Sequence, residues 1–589
     1  MTSSIDTRNI TAGANIPSEG YCDQPYIIKA DDGAWVCTMT TGTGHEGDKG
    51  QHVITMRSFD RGVTWIERAD VEPAAGPEAS YSVVFKAPYG RIYCLYNYNG
   101  ANVREVKRED SGVFTRVDSL GDYVFKYSDD NGKSWSKERY NIPVREFECD
   151  RKNVYAGKLR FFWNVGRPIT TKDGKAIFVL HKVGAMGDGF FAQSEGVFLK
   201  SDNILTERDP KKVNFATLPD GDIGLRAPAG GGRVSEEHTI VELSDGSLYS
   251  VYRTIDGYPA CAYSRDGGHT WTKPAYARYT PNGKKIKHPR AANFVWKCEN
   301  GKYLYWYHNH GGAKFIANKA GWVPYADRNP AWITGGIEKD GHIHWSEPEV
   351  LLYDDELASR MSYPDLVEDG GEYYVTETQK TVARVHHVDK TLIEGLWAQA
   401  ANKKSASEGI LFESKKIKKN ERLPDAIKLP PLHMHPHQWG GKNFTSGFSI
   451  EMRIRVKAGT HGVLFNSRDS AGRGTALTLT DRGTISLFLS DGHNESSWES
   501  DGGLITPSAW HHITAIVDGG PNIIMFVIDG KLCDGGEERQ FGWGRIHPSM
   551  TDVSGDVIHL SCVGECDLFR IYGRALRVSE AVGNAHAAY

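Results

Sequence analysis

Long apolar runs are missing from this sequence. It has no stretch of about 18 consecutive apolar residues, and no basic segment followed by an apolar core precedes the first strands. A membrane span is therefore not expected, and the chain as written would be cytoplasmic, or secreted if a signal peptide has been removed. The nine cysteines lack paired C-x-x-C spacing, which argues against a zinc cluster or a disulfide framework.

Net charge and helical periodicity are also scarce. The 70 basic and 74 acidic residues almost cancel, so no global field favours nucleic acid or an anionic membrane. Leucine-rich helical patterns are almost absent, whereas 64 glycines, 27 tyrosines and 15 tryptophans are present. This composition predicts a turn-rich all-β protein, and 589 residues exceed what one hydrophobic core usually organises. We therefore expect at least two all-β domains.

An octapeptide of the form S-x-D-x-G-x-[ST]-W occurs three times, at residues 58–65, 128–135 and 264–271. Each copy follows a segment of alternating apolar and polar residues. The motif is therefore predicted at a hairpin turn, where the aspartate accepts hydrogen bonds from the turn backbone and the tryptophan packs between strands. A degenerate fourth copy occupies residues 339–345. These features predict a structural role for the octapeptide.

A second repeat consists of an apolar strand, a glycine-containing turn and another apolar strand. It occurs six times, at residues 25–39, 82–96, 167–181, 238–252, 293–307 and 364–378. Radially repeated units of this kind are typical of a β-propeller. We predict six blades, although a degenerate seventh could be hidden in residues 96–122 or 183–230.

The octapeptides resemble the Asp-boxes of sialidase-type β-propellers, which implies a carbohydrate-active propeller over residues 1–404. A lysine-rich stretch follows Trp397, and residues 405–437 are interpreted as a linker or a first strand of the next domain. Alternation at Ile450, Met452 and Ile454 then predicts a two-sheet sandwich over residues 438–589. The segments beginning at Trp510 and Phe569 resemble those of laminin-G and concanavalin-like jelly rolls.

Candidate site residues follow from the propeller geometry, because the residues that begin each blade's inner strand converge on one central channel. The positions at these openings are Asp23, Gln24, Tyr81, Arg167, Glu236, Glu237, His238, Arg290, Asn293, Tyr363 and Asp365. The long loop of the first blade adds His45, Glu46, Asp48 and His52. Charged and aromatic groups dominate this set.

The resemblance to sialidases implies individual roles. Tyr363 matches the tyrosine nucleophile and Glu237 the glutamate that activates it. Arg253 matches the second and Arg328 the third of three arginines that bind a substrate carboxylate, while Glu377 matches a glutamate that orients the first. The first arginine itself is replaced by Asp23.

An aspartate in that place would repel a carboxylate, so the substrate is expected to differ from sialic acid. The loop that should carry the acid/base aspartate offers His45, Glu46 or Asp48 instead. Asp23, Gln24, His52, Arg167, His238 and Arg290 are predicted to contact substrate.

Three functions remain open at this stage. The first is an exo-acting glycoside hydrolase that removes a terminal sugar from a complex, acidic glycan. The second is a propeller polysaccharide lyase or rhamnosidase that acts at rhamnose–glucuronate linkages with histidine and tyrosine. The third is a non-catalytic glycan-binding protein.

The expected partner in each case is an oligosaccharide or polysaccharide, and the sequence leaves the oligomeric state open. No cofactor is predicted. Calcium in the sandwich is possible by analogy, with unknown ligands, and the cluster of His433, His435 and His437 is attributed to chance at a proline-rich junction.

Overall fold

The computed structural model describes residues 6–116, 118–187, 190–312, 327–415, 417, 420–432, 446–561 and 563–587. Within these ranges the protein is almost entirely β-structure, as predicted. The few helices are the α-helices Glu148–Arg151, Lys390–Ala398 and Val578–His586 and the 3-10 helices Ile10–Ala12 and Pro210–Lys212. None of the helices in the described ranges is long and apolar enough to cross a membrane.

Six antiparallel sheets of four or five strands form a six-bladed propeller in the described part of the chain. Blade 1 contains the strands Tyr21–Lys29, Trp35–Gly42, His52–Ser58 and Ile66–Asp70. Blade 2 contains Ala79–Lys86, Ile92–Tyr98, Asp122–Ser128 and Tyr140–Asn141. Blade 3 contains Phe161–Trp163, Ile169–Thr170, Ala176–Gly187, Phe190–Ser201 and Ala216–Leu218. Blade 4 contains Ser235–Glu242, Leu248–Thr254, Ala260–Ser264 and Ala275–Tyr276. Blade 5 contains Phe294–Lys297, Tyr303–Tyr307, Ala331–Lys339, His342–Trp345 and Glu349–Leu352. Blade 6 contains Leu366–Asp369, Glu372–Thr378 and Ala383–Val388. The loop that follows Ile92–Tyr98 carries a small hairpin, Val106–Lys107 with Val113–Phe114.

The N-terminal strand Ala14–Ile16 closes the ring. It pairs antiparallel with Ala383–Val388 and so becomes the outermost strand of blade 6. Each blade is otherwise built from one continuous segment. The prediction of six blades is confirmed, and the two segments in which a seventh could have been hidden belong to blades 2 and 3 and to the connections around them.

The octapeptides form closely similar turns. In the second copy, the Ser128 hydroxyl donates to Asp130 Oδ1 at 2.7 Å and accepts from the Gly132 amide at 2.8 Å. Asp130 in turn accepts from the amide and the hydroxyl of Ser134. The copies that begin at Ser58 and Ser264 make the same bonds. The serine and the aspartate thus satisfy the backbone of a hairpin turn, which supports the predicted structural role.

At four of the blade openings one residue has a left-handed backbone conformation. Gln24, Tyr81, Glu237 and Tyr363 have φ between 48° and 57°. The strand register shifts at the first three of them, as in a β-bulge. A bulge bends the strand and redirects the local side chains, so the inner strands of blades 1, 2 and 4 turn their side chains in the same way where they meet the central channel. For non-glycine residues this conformation costs about 1 kcal/mol or more and persists only where the surroundings enforce it.

The C-terminal domain is a sandwich of two antiparallel sheets. One contains Ile410–Ser414, Glu565–Tyr572, Gly447–Arg455, Trp510–Asp518, Ile523–Ile528, Lys531–Leu532 and Gly544–Arg545; the other contains Glu421–Arg422, His559–Leu560, Gly462–Asn466, Gly474–Leu479, Ile485–Ser490 and Glu495–Glu499. Their apolar faces form one core that includes Ile450, Met452 and Ile454. The first strands of both sheets lie before residue 438, because residues 410–414 and 421–422 pair with the sandwich.

The two domains share a buried apolar interface. Tyr303, Tyr305 and Trp332 of blade 5 belong to the same hydrophobic cluster as Met525 and Trp543 of the sandwich. A buried carboxylate reinforces it, because Glu349 accepts hydrogen bonds from the Val578 and Ser579 amides at the start of the last helix. A carboxylate is favoured at the positive end of a helix. The sandwich is therefore packed firmly against the propeller.

Replacing Ser264 tests the turn. We expect Ser264→Ala to lower the free energy of unfolding by about 1–3 kcal/mol, because the buried Gly268 amide loses its acceptor. Urea unfolding followed by tryptophan fluorescence measures the change. The control is Ser111→Ala in an exposed turn, for which we expect a change within about 0.5 kcal/mol. Equal effects of the two substitutions would contradict the role assigned to the motif.

Candidate active site in the propeller channel

The structure brings Tyr363 and Glu237 together in the channel. The Tyr363 hydroxyl donates a hydrogen bond to Glu237 Oε1 at 2.8 Å, although 126 residues separate the two in sequence. Both side chains are buried. Burial and the charge of Glu237 hold the pKa of Tyr363 well above its ordinary value. The phenol therefore stays protonated at neutral pH unless Glu237 removes its proton.

Two arginines pair with the carboxylates beside this tyrosine. Arg253 Nη1 lies 2.8 Å from Glu237 Oε2, and Arg253 Nη2 lies 2.8 Å from Glu236 Oε2. Arg290 Nη2 donates to Glu236 Oε1 at 2.7 Å. Burial raises the pKa of Glu236, but the Arg290 and Arg253 charges outweigh it and lower the pKa overall. Glu236 is thus an ionised carboxylate shared by two guanidinium groups.

Arg328 reaches the same site from blade 5. Its Nη1 donates to the Ser362 hydroxyl at 2.5 Å, next to Tyr363 in the chain, and its Nη2 approaches the Arg290 carbonyl at 3.5 Å. The structure therefore brings Arg253, Arg290 and Arg328 together around Tyr363, which fits their predicted contact with substrate.

A lysine lies beside Asp23, where the first arginine is missing. Lys380 Nζ is 2.6 Å from Asp23 Oδ2 and 3.1 Å from Glu46 Oε1, and it lies 4.2 Å from the centre of the Tyr363 ring. The lysine comes from the loop between the second and third strands of blade 6. Because neighbouring strands are antiparallel, this loop lies on the face where the inner strands begin.

The two carboxylates next to Lys380 have opposite pKa shifts. Burial raises the pKa of Asp23, Lys380 lowers it and the Glu46 charge raises it, to about 6 overall. Burial also raises the pKa of Glu46, but the Arg116 and Lys380 charges lower it by more, so that the pKa is about 2. Asp23 also accepts a hydrogen bond from Tyr21 at 2.9 Å. Asp23 can therefore hold a proton near neutral pH, whereas Glu46 is ionised.

Arg116 closes the cluster from the long loop of blade 2. Its Nη2 donates to Glu46 Oε1 and to the Tyr81 hydroxyl, both at 2.7 Å, and its Nε donates to Asp118 at 2.9 Å. Tyr81 also donates to Asp118 at 2.9 Å. Tyr81 and Glu46 are candidates from the sequence, whereas Arg116, Asp118 and Lys380 were missed, because nothing in their local sequence marks those loops as parts of the channel. Tyr21 was also missed, although it begins the inner strand of blade 1 two residues before Asp23.

The other candidates in the first blade's loop lie outside this cluster. The His45 side chain is 96% exposed, and its ring lies 3.5 Å from the carboxylate of Asp48. Asp48 is itself 53% exposed and accepts a hydrogen bond from the His45 amide, as in a surface turn. His52 is buried and bonds to the Gly50 carbonyl at 3.1 Å. Their roles stay predictions without a described contact to Tyr363.

Four further candidates have local partners. Gln24 donates to the Asn164 carbonyl, and Arg167 pairs with Asp365 at 2.7 Å. His238 stacks on Tyr252 with ring centres 3.9 Å apart, and burial holds its pKa well below its ordinary value. Glu377 lies 3.3 Å from Arg384. The Gln24 contact joins blade 1 to blade 3, and the Arg167 contact joins blade 3 to blade 6, so both link blades that are not adjacent in the ring. His238 and Glu377 instead contact the next strand of their own blade.

Metal-ligand groups are not gathered in the described part of the chain, where no cluster of three histidine, cysteine, aspartate or glutamate side chains could hold an ion. His433, His435 and His437 lie outside the described residues. The possibility of calcium in the sandwich therefore stays open.

Comparison with known proteins supports the domain assignment of the C-terminal part. Residues 433–581 match the family model described as the Concanavalin A-like lectin/glucanases superfamily. A search of curated proteins finds no match.

Several solved structures are similar at low identity. A protein of unknown function from Dyadobacter fermentans is 15% identical, with 64% of this chain and 97% of that chain covered and a TM-score of 0.45. Trypanosoma rangeli sialidase in complex with sialic acid is 12% identical, with 99% and 97% covered and a TM-score of 0.42. The NanB sialidase from Streptococcus pneumoniae is 14% identical, with 66% and 68% covered and a TM-score of 0.41.

At these values the similarities give no information about individual residues or about the substrate. The architecture follows from the six sheets, from the turns of the repeated octapeptide and from the family match of the C-terminal residues. The chain thus combines a six-bladed β-propeller with a sandwich whose residues match the concanavalin A-like superfamily.

Proposed function

We propose that the protein is a glycoside hydrolase that removes a terminal sugar, with Tyr363 as the nucleophile and Glu237 as the base that activates it. The observation that carries this proposal is the buried 2.8 Å hydrogen bond from the Tyr363 hydroxyl to Glu237. A phenol with a raised pKa is a poor nucleophile until a neighbouring base takes its proton. Arg253 Nη1 lies 2.8 Å from Glu237 Oε2 and places a positive charge beside this carboxylate.

The bond to the leaving group breaks as the bond to Tyr363 forms. The phenolic oxygen attacks the anomeric carbon while its proton passes to Glu237, and the leaving oxygen takes a proton from Asp23. In the second step Asp23 accepts a proton from water and the water oxygen attacks the anomeric carbon. The bond between that carbon and the Tyr363 oxygen breaks, and the tyrosine recovers its proton from Glu237. Two displacements retain the anomeric configuration.

Asp23 fits the role of acid better than the loop residues do. Its pKa of about 6 lies near the working pH, as acid/base catalysis requires, whereas Glu46, with a pKa of about 2, has no proton to give. Lys380 stabilises negative charge that develops on the phenol, since its ammonium group lies 4.2 Å from the ring centre.

The two alternatives have less support. A lyase of the histidine and tyrosine type needs a histidine beside Tyr363, and none of the described hydrogen bonds or ion pairs of Tyr363, Glu237, Asp23 and Lys380 involves one. A protein that only binds glycans has no need to bury a phenol against an ionised carboxylate, because buried charges are costly unless they are paired. Hydrolysis, in contrast, gives a role to the hydrogen-bonded pair of Tyr363 and Glu237 and to Asp23.

Replacement of Tyr363 by Phe tests the proposal. The assay uses a panel of 4-methylumbelliferyl glycosides that includes neutral hexosides and pentosides, uronides and a sialoside. We expect the unaltered protein to release the fluorophore from at least one of them, and Tyr363→Phe to lower kcat/KM by roughly 10³-fold or more because the nucleophile is lost.

The matched control is Tyr353→Phe, which removes another buried hydroxyl bonded to a carboxylate, that of Asp6, outside the channel. We expect this variant to keep its activity. Near-normal turnover by Tyr363→Phe, or the ultraviolet absorbance of an unsaturated uronate when uronate-containing oligosaccharides are the substrate, would contradict the proposal.

A pH profile tests the assignment of Asp23. An acid must be protonated to act, so kcat/KM is expected to fall as the pH rises through about 6. Asp23→Asn should lower the rate and abolish this fall. Glu46→Gln should move the fall to lower pH, because the Glu46 charge is what helps to raise the pKa of Asp23. A fall near pH 6 that persists in Asp23→Asn would assign the acid to another group.

A further inference from the structure

A loop of the sandwich lies against the propeller face that carries the channel. We call residues 531–545 the interdomain loop; it begins with the strand Lys531–Leu532 and ends with the strand Gly544–Arg545. The loop contacts the two segments of the propeller that lead to Arg290 and Arg328. Both arginines belong to the ion-paired cluster around Tyr363.

Three lysines join the first segment to this loop. Lys284 Nζ donates to the Leu532 carbonyl at 2.8 Å. Lys285 Nζ lies 3.3 Å from Glu537 Oε1. Lys287, which is almost fully buried, donates to the Arg539 carbonyl at 2.6 Å. All three lie within six residues of Arg290 in the sequence, so the position of the loop restrains the segment that carries this arginine into the channel.

Backbone and side-chain contacts of the loop hold the second segment. The Gly311 amide donates to the Gln540 carbonyl at 3.0 Å, and the Trp543 indole donates to the Asn309 carbonyl at 3.3 Å. His310 lies against the Phe541 ring, with ring centres 4.8 Å apart.

These contacts continue to the neighbour of Arg328. His310 Nε2 bonds to the Asp327 carbonyl at 2.5 Å, and Gln540 Nε2 lies 3.4 Å from Asp327 Oδ2. Asp327 has a φ of 59°, which a non-glycine residue adopts only under constraint. The interdomain loop and His310 supply that constraint immediately before Arg328.

The loop itself is anchored inside the sandwich by one carboxylate. Asp501 accepts hydrogen bonds from the amides of Asp534 and Gly535, both at 2.9 Å, and from Arg539 Nη2 at 2.6 Å. The Arg539 guanidinium also donates to the Glu499 carbonyl at 2.9 Å and lies over the Trp498 ring. The conformation of the loop therefore depends on Asp501, which makes no described contact with the propeller.

We propose that the interdomain loop positions Arg290 and Arg328, so that the sandwich is part of the scaffold of the site rather than an independent binding module. Arginines that bind a substrate group equally in the ground state and the transition state set KM rather than kcat, so a displacement of Arg290 and Arg328 is expected to weaken substrate binding. The role of Arg290 and Arg328 in substrate binding rests on the proposed function. The claim that the interdomain loop holds the two segments in place does not depend on any enzymatic activity.

The test is Asp501→Ala in the full chain, followed by hydrogen exchange and by kinetics. We expect the amides of residues 284–293 and 327–333 to exchange roughly tenfold faster, and those of residues 79–98 in blade 2 to keep their rates. On the glycoside cleaved by the unaltered protein, we expect KM to rise about fivefold or more while kcat changes less than about twofold. The fall in kcat/KM near pH 6 should stay in place, because the variant leaves Asp23 untouched.

The control is Glu565→Gln, which breaks an exposed ion pair with Arg455 elsewhere in the sandwich and should change none of these quantities. If Asp501→Ala does not fold, Glu537→Ala replaces it, because this side chain is exposed and contacts Lys285 and Tyr258. Unchanged exchange in residues 284–293 and 327–333 would overturn the proposal. A lack of activity in the unaltered protein would instead overturn the proposed function and leave the exchange result to decide this one.

Discussion

The site depends on the ion pairs that Arg253 makes with Glu236 and Glu237. All three side chains are buried in the channel, where an unpaired charge would cost several kcal/mol. Arg253 provides the counter-charge for the Glu237 carboxylate, whose other oxygen accepts the hydrogen bond of Tyr363. The second carboxylate, Glu236, ties Arg290 to the same group. One guanidinium thus links the carboxylate that binds the Tyr363 hydroxyl to Glu236 and Arg290.

The repeated bulges explain how side chains so distant in sequence meet. Gln24, Tyr81, Glu237 and Tyr363 all occupy left-handed positions at blade openings. The regularly spaced turns were sufficient to predict the six blades and to identify Tyr363 and Glu237 as residues at blade openings. The pairing of Tyr363 with Glu237 and the place of Arg253 beside them were expected from the resemblance to sialidases, and the contacts agree with it.

The positions of Lys380 and Arg116 in the cluster could not be predicted from the sequence, for a physical reason. Lys380 and Arg116 come from loops between outer strands, and no periodic pattern fixes where a loop side chain points. For the same reason His45 was expected to face the substrate, whereas it lies exposed in a surface turn, and Glu46, its neighbour, is the residue that turns inward to Arg116. The contacts of the interdomain loop were not foreseeable either, because packing between domains leaves no local signal.

Covalent trapping would test the central claim, that Tyr363 attacks the anomeric carbon, most directly. The protein is incubated with activated fluoro-sugars that match whichever glycoside of the panel it cleaves, and the adduct is located by peptide mass spectrometry. We expect a stable glycosyl adduct on Tyr363 that forms at the rate of inactivation. An adduct on Glu237, or turnover of the substrate with inversion at the anomeric carbon, would contradict it.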